Sequence, residues 1–295
     1  MAIEIDPRTI DHSKVKKLKS LGFNRVSMGV QDFNEGVQKK VNRVQPFEMV
    51  EGFFKWCREL KFLSVNCDLI YGLPGQSTES FEATIKKVIQ LKPDRVALYS
   101  FAYVPWLKKH QSKLDTKELP NTDEKLEIFL QSREQFLENG YTAIAMDHFA
   151  LKNDEMAKAF EAGTLYRNFM GYTVKPADEF IGLGMTAIGF LENAFIQNHK
   201  TLLEYYAALD KGELPVERGK VLSTDDQIRQ WVISRLMCHF KVDKREFLSK
   251  FALEFDPYFD FEQAHLRKCE AEGLLRLSGD LIEVTDLGKI FIRNI

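Results

Sequence analysis

The sequence predicts an α/β fold: a parallel sheet of repeated β-α units, curved into a barrel or half-barrel, followed by a mostly helical, winged-helix-like module. Three observations carry this. Strand-like and helix-like segments alternate over the first hundred residues, and units of that size join parallel strands by right-handed crossovers. Several of these strands carry polar residues on one alternating face, where a sheet covered on both sides would be apolar throughout. After Ser223 the pattern becomes helical and ends in a short hairpin.

The elements follow in order. IEID (3–6) reads as a strand, and HSKVKKLKSLG (12–22) as a helix with Val15, Leu18 and Leu21 at helical spacing and Gly22 as its stop. RVSMGVQ (25–31) is the second strand and 46–61 the second helix. VNCDLIYGLP (65–74) is the third strand. The third helix (78–92) opens on a capping-box-like Thr78-to-Phe81 turn, and RVALYSFAY (95–103) is the fourth strand. Period-2 alternation puts Asn66, Asp68 and Ile70 on one side of the third strand and Val65, Cys67 and Leu69 on the other. Glu4 pairs with Asp6 and Ser27 with Gln31 in the same way. Polar groups repeated toward the C-terminal ends of parallel strands suit a lumen and rim that hold a polar ligand.

From about Pro105 the chain is less regular, with a helix at 123–139 and a strand at 141–146. The segments from Asp147, at 163–174 and at 179–190 are rich in glycine and aromatics and read as loops able to close over a ligand, with His148 as a lone loop histidine. The helix from Asp225 has Ile228, Val232 and Leu236 on one stripe. Two more helical stretches lead to a hairpin around Ser278-Gly279 within 274–292. The expected division is therefore 1–150 for the barrel, 151–222 for a loop-rich active-site segment and 223–295 for the winged-helix-like domain.

Composition bounds the function. The 295 residues, 44% of them hydrophobic, provide for a substantial core, and a net charge of −2 gives no electrostatic reason to bind nucleic acid or an acidic membrane. Acidic residues slightly outnumber basic ones across the last module, so a lid or docking role suits it better than a phosphate-binding one. The apolar run from Phe180 is shorter than the roughly 20 residues of a membrane span, and MAIEIDPR has acidic residues where a secretion signal is basic. A cytoplasmic protein without membrane or nucleic-acid partners is expected. Cys57, Cys67, Cys238 and Cys269 are scattered without metal-site spacing and read as free, buried thiols.

The stretches GVQDFN (29–34), VNR (41–43), NCDLIYGLPGQ (66–76), MDHFA (146–150), RNFMGYT (167–173) and GLGMTAIG (182–189) together resemble the oxygen-independent coproporphyrinogen III oxidases, radical S-adenosylmethionine (SAM) enzymes of heme biosynthesis. Heme-chaperone-like paralogues share GVQ and DLIYGLPGQ but differ in the residue pair after GVQ, in Asn42-Arg43, and in the Asp147-His148-Phe149 and Arg167-Asn168-Phe169 signatures. The resemblance implies a radical-SAM partial (β/α)6 TIM-like barrel. It also implies two SAM molecules, a [4Fe-4S] cluster, and oxidative decarboxylation of two propionates of coproporphyrinogen III to vinyl groups through a 5'-deoxyadenosyl radical. On the matching positions, Glu4 and Ile188 would serve the first SAM, and Gln31, Arg43, Asp68 and Ala102 the second. Asp147, His148, Arg167 and Asn168 would line the substrate, with no catalytic residue assigned. A monomer with an unidentified electron donor and acceptor is expected.

Two departures accompany the resemblance. The family's cluster motif, Cys-x3-Cys-x2-Cys, does not occur in the sequence, and the first strand matches what would be the fourth of the half-barrel. The expectation is an N-terminally truncated chain, metal-free and unable to generate the radical alone. Met170 stands where the family generally has glutamine. The competing reading is a heme- or tetrapyrrole-binding paralogue without oxidase activity.

Overall fold

Four strands, β1 (Ala2–Ile5), β2 (Arg25–Gln31), β3 (Ser64–Tyr71) and β4 (Arg95–Ser100), lie parallel and in sequence order in a computed structural model that describes residues 1–177 and 179–295. The crossovers are helical: α1 (His12–Ser20), then α2 (Glu35–Lys40) with α3 (Phe47–Glu59), then α4 (Thr78–Leu91). Alternation fixes the core. Val26, Met28 and Val30 of β2, and Val65, Cys67 and Leu69 of β3, are buried, as are Val15, Val50, Phe53, Phe81 and Ile85 of the helices. The opposite faces of β2 and β3 remain half-buried.

Local chemistry sets the ends. β1 stops at Ile5, one residue before the expected end, because Asp6 caps the short 3-10 turn Pro7–Thr9 instead of continuing the strand. The Arg8 guanidinium on its carboxylate, joined by Arg43, holds Asp6 down at about 2. Helix α4 is capped one residue earlier than the sequence reading places it. Ser77, in extended backbone, accepts from Ser80 N at 3.2 Å, while Ser80 Oγ accepts from Ser77 N at 2.9 Å.

Beyond β4 the sheet changes direction. After α5 (Thr122–Glu138), β5 (Tyr141–Ile144) and β6 (His148–Leu151) form an antiparallel hairpin, and β6 pairs antiparallel with β4, giving the order β1-β2-β3-β4-β6-β5. His148 opens a strand, not the loop that its sequence context predicts. Pairing on both sides decides this, since Phe149 faces Val96 across one ladder and Ala143 across the other and is fully buried. Ala145, at φ +55, supplies the reversal. Helix α6 (Glu155–Glu161) follows, and its Glu155 joins Arg25 and Arg95.

The chain divides into two compact units, Met1–Lys158 and Ala159–Ile295. In the second, β7 (Tyr166–Asn168) and β8 (Gly171–Thr173) form a hairpin. β9 (Ile188–Leu191), β10 (Ala194–Asn198) and, after α7 (Leu202–Asp210), β11 (Val216–Val221) form a sheet in the order β11-β10-β9. Parts of the segments read as loops are therefore short strands, too brief and glycine-rich for a period-2 signal. Helix α8 (Thr224–His239) opens a mostly helical, winged-helix-like region. There β12 (Lys241–Asp243), α9 (Lys244–Phe251), α10 (Phe255–Tyr258), α11 (Gln263–Ala271), β13 (Leu275–Ser278), β14 (Leu281–Val284) and α12 (Asp286–Ile290) follow, with strands in the order β12-β14-β13. Phe247 is its buried centre, ringed by Trp231, Phe251, Phe255 and Phe259. Gly279, at φ +51, makes the predicted hairpin turn. Among the described residues no helix is long and apolar enough to cross a membrane.

Candidate functional site

Register builds a polar surface on the half-buried face of the first sheet. Glu4, Ser27 and Asn66 stand in one row across β1, β2 and β3. Gly29, Asp68, Ala97 and His148 stand in the next, across β2, β3, β4 and β6. At its centre the side chains interlock. Ser27 Oγ donates to Asp68 Oδ2 at 3.0 Å, and Asn66 Nδ2 donates to Ser27 Oγ at 2.8 Å and to Asp68 Oδ1 at 2.7 Å. Burial pushes the Asp68 carboxyl above its ordinary range; the two neighbours pull it back, Glu4 pushes further and His148 offsets in part. His148 Nδ1 lies 2.6 Å from Asp147 Oδ1, with its ring edge-on to Tyr99 at 5.9 Å, so the histidine is partnered, not a lone loop residue.

A second cluster sits at the end of β2. The β2-β3 register slips between Gly29 and Gln31, and Gln31 takes a φ of +68, a left-handed backbone that bends the strand away from its ladder. A Cβ on Gly29 would stand 2.5 Å from Gln31 Nε2 and 3.1 Å from Arg43 Nη2, so both side-chain ends converge over this glycine. Arg43 donates from Nη2 to Gly29 O at 2.9 Å and lies 3.6 Å from Asp6. Its Nε is buried without a hydrogen-bond partner, as is Asn66 Oδ1. Arg43 is thus more than a surface ion-pair residue.

Sequence reasoning missed Asp32, Gln38, Gln45 and Gln76, which are buried behind Gln31 and Arg43. Asp32 and Gln76 belong to the quoted GVQDFN and NCDLIYGLPGQ stretches, but with polar neighbours in Gln31 and Asn34, and in Ser77 and Thr78, they carry no local sign of burial. Gln76 ties the Gly72-Leu73-Pro74-Gly75 turn by accepting from Leu73 N at 2.9 Å and donating to Ile70 O at 2.9 Å. It also donates to Asp32 Oδ2 at 2.6 Å.

Of the other expected residues, Ala102 is exposed in the loop after β4, where Gln111 donates to its carbonyl at 3.1 Å. Arg167, Asn168 and Ile188 belong to the second unit. The Arg167 guanidinium stacks on Tyr172 at 5.6 Å, and Asn168 Oδ1 accepts from Met170 N at 2.8 Å. Both line a cleft of about 620 Å³ walled by Phe169, Phe180, Phe190 and Phe195. Met170 is 86% exposed. Ile188 opens β9, and a Cβ on Gly182 would lie 2.5 Å from its carbonyl oxygen, so that position must be glycine.

The donor set fits SAM. Carboxylates at Glu4 and Asp68 match an amino group and a ribose diol. A guanidinium and an amide at Arg43 and Gln31 match a carboxylate, and the unpartnered Asn66 Oδ1 and Arg43 Nε are one acceptor and one donor still to be satisfied. An iron–sulfur cluster does not fit the cysteines present. All four are free and buried, with Cys57 pushed up to about 12, Cys238 to about 11, and Cys67 and Cys269 also raised by burial, whereas thiolates bind metals. Among the described residues no group of three or more His, Cys, Asp or Glu is arranged to hold a metal ion.

The chain is similar in sequence and fold to known proteins. Residues 1–88 match the Radical SAM superfamily and 222–291 the HemN C-terminal domain. The whole chain is 48% identical to an oxygen-independent coproporphyrinogen III oxidase of Synechocystis, spanning 64% of that relative's length. It is 45% identical to one of Thermostichus vulcanus, spanning 91%. The solved coproporphyrinogen III oxidase (HemN) from Escherichia coli, a radical SAM enzyme, superposes with a TM-score of 0.97 at 40% identity, over 99% of this chain and 68% of that one. The expected α/β class, part of a radical SAM barrel followed by a winged-helix-like domain, is the fold observed.

Proposed function

The chain belongs to the oxygen-independent coproporphyrinogen III oxidases, and from that premise we propose that it binds SAM on the polar strand face and takes part in converting two propionates of coproporphyrinogen III to vinyl groups. The observation that carries the reading is the Ser27-Asn66-Asp68 cluster, a half-buried carboxylate held by two neutral donors beside an unpartnered amide oxygen. Bound SAM would supply the hydrogen-abstracting carbon radical of this chemistry only on receiving one electron, with release of methionine, from a reduced centre that the four cysteines of this chain do not hold.

The chain's own residues bind and orient. Asp68, kept in place by Ser27 and Asn66, accepts from ligand hydroxyl or amino groups, and Arg43 and Gln31 donate to a ligand carboxylate. With Ala102 as an apolar contact, these four form the second SAM site, and Glu4 and Ile188 serve the first. Arg167 and Asn168, with Asp147 and His148, contact the substrate, and Arg167 suits a propionate because a guanidinium forks onto a carboxylate. Segment 1–150 carries most of the SAM contacts together with Asp147 and His148, segment 151–222 carries Ile188, Arg167 and Asn168, and segment 223–295 is a docking lid. None of the four cysteines is assigned to a cluster, and electrons come from an external donor and leave to an external acceptor. The protein acts as a monomer in the cytoplasm.

Substrate binding tests the reading. Titrated into the chain, coproporphyrin III, the fluorescent oxidised form of the substrate, should be quenched saturably. The dissociation constant should rise about tenfold in Arg167→Ala, the scale of one charge-assisted hydrogen bond. Wild-type affinity in both Arg167→Ala and His148→Ala would remove both residues from the substrate site.

A further inference from the structure

Asp32 is a carboxylate buried to 1% exposure whose partners are neutral. Oδ1 accepts from Thr84 Oγ1 at 2.5 Å and from Asn34 N at 2.7 Å, and Oδ2 accepts from Gln76 Nε2 at 2.6 Å. Burial pushes its carboxyl up against the pull of these donors. A buried carboxylate without a cation costs stability relative to an apolar or amide side chain, so stability does not explain why it is there.

Its connections do. Asp32 directly follows Gln31, the residue at φ +68. Its carbonyl accepts from Gln38 Nε2 at 2.8 Å, and the same nitrogen donates to Gln45 O at 2.9 Å. Gln45 Nε2 in turn donates to Gly29 O at 3.1 Å and to Val30 O, and Gly29 O is also the acceptor of Arg43 Nη2. On its other side Asp32 holds Gln76, which fixes the turn directly after the strand that carries Asp68. Asp32 therefore links two sets of contacts: its carboxylate holds the turn after β3 through Gln76, α4 through Thr84 and the backbone at Asn34, and its backbone carbonyl, on the residue that follows Gln31, starts the Gln38-Gln45 relay to the carbonyl that seats Arg43.

We propose that Asp32 is the positioning residue of the SAM site: its carboxyl group, clamped between Gln76 and Thr84, anchors the segment that carries Gln31 and Arg43 and the β3 turn without touching the ligand. The inference rests on the SAM reading above. Asp32→Asn keeps the size but presents an NH2 group to a donor. Gln76 cannot flip to meet it without giving up both Leu73 N and Ile70 O.

The test is SAM affinity of the full-length chain by isothermal titration calorimetry at a temperature where circular dichroism shows each variant folded. The expected result is at least a tenfold loss of SAM affinity in Asp32→Asn, with a melting temperature near that of the wild type. A structural role alone would lower the melting temperature and leave affinity intact, and that outcome overturns the proposal. Should Asp32→Asn fail to fold, Thr84→Val removes a single donor; a threefold or greater loss of affinity supports the proposal and unchanged affinity overturns it. If the wild type binds SAM and Asp32→Asn binds it equally, the positioning role fails alone. If the wild type does not bind SAM, the site reading fails and the positioning role with it.

Discussion

Asp68 is the residue on which the account turns, and its chemistry has a pH signature. Burial raises its carboxyl, so protonation, which removes an acceptor, begins above the ordinary carboxylate value of about 4. SAM affinity should therefore fall as pH drops through that raised value, and titrations run downward from neutral pH should show the decline in the wild type at a higher pH than an ordinary carboxylate gives, and no such step in Asp68→Asn. Stability runs the other way for such groups. A carboxyl raised in the folded state binds its proton more tightly than in the unfolded chain, so it favours folding at low pH and opposes it as pH rises. Asp68 was legible in the sequence because alternation alone puts it beside Asn66. Asp32 was not, because its partners Gln76 and Thr84 lie 44 and 52 residues away, and no local pattern joins them.

At the scale of elements, the parallel strands and their helices could be read from periodicity, and the caps very nearly so. Helix α4 is anchored at Ser77, and Ser77→Ala should cost about 1 kcal/mol in chemical denaturation, whereas Thr78→Ala, at the position the sequence pointed to, should cost less. The β5-β6 hairpin was half legible. Its first strand shows as a strand, but its second begins at His148, directly after Asp147, and becomes a strand only by pairing with β4 and β5 at once. Burial of Phe149 between those ladders is the tertiary fact that overrides a polar start. That placement also brings His148 onto the row of Asp68, so the element misread as a loop contributes to the face.

At the scale of the whole chain, similarity over its full length gives the family, and the two compact units give each site residue an address. The chain spans 64% of the Synechocystis relative's length, and the polar face lies wholly within its own strands. The most direct measurement is calorimetric titration of the wild-type chain and of Asp68→Asn with SAM at pH 7.5. Saturable binding by the wild type, weakened at least tenfold in the variant, is the predicted result. Binding of equal strength in both, or none in the wild type, would contradict the assignment of the polar strand face as the SAM site.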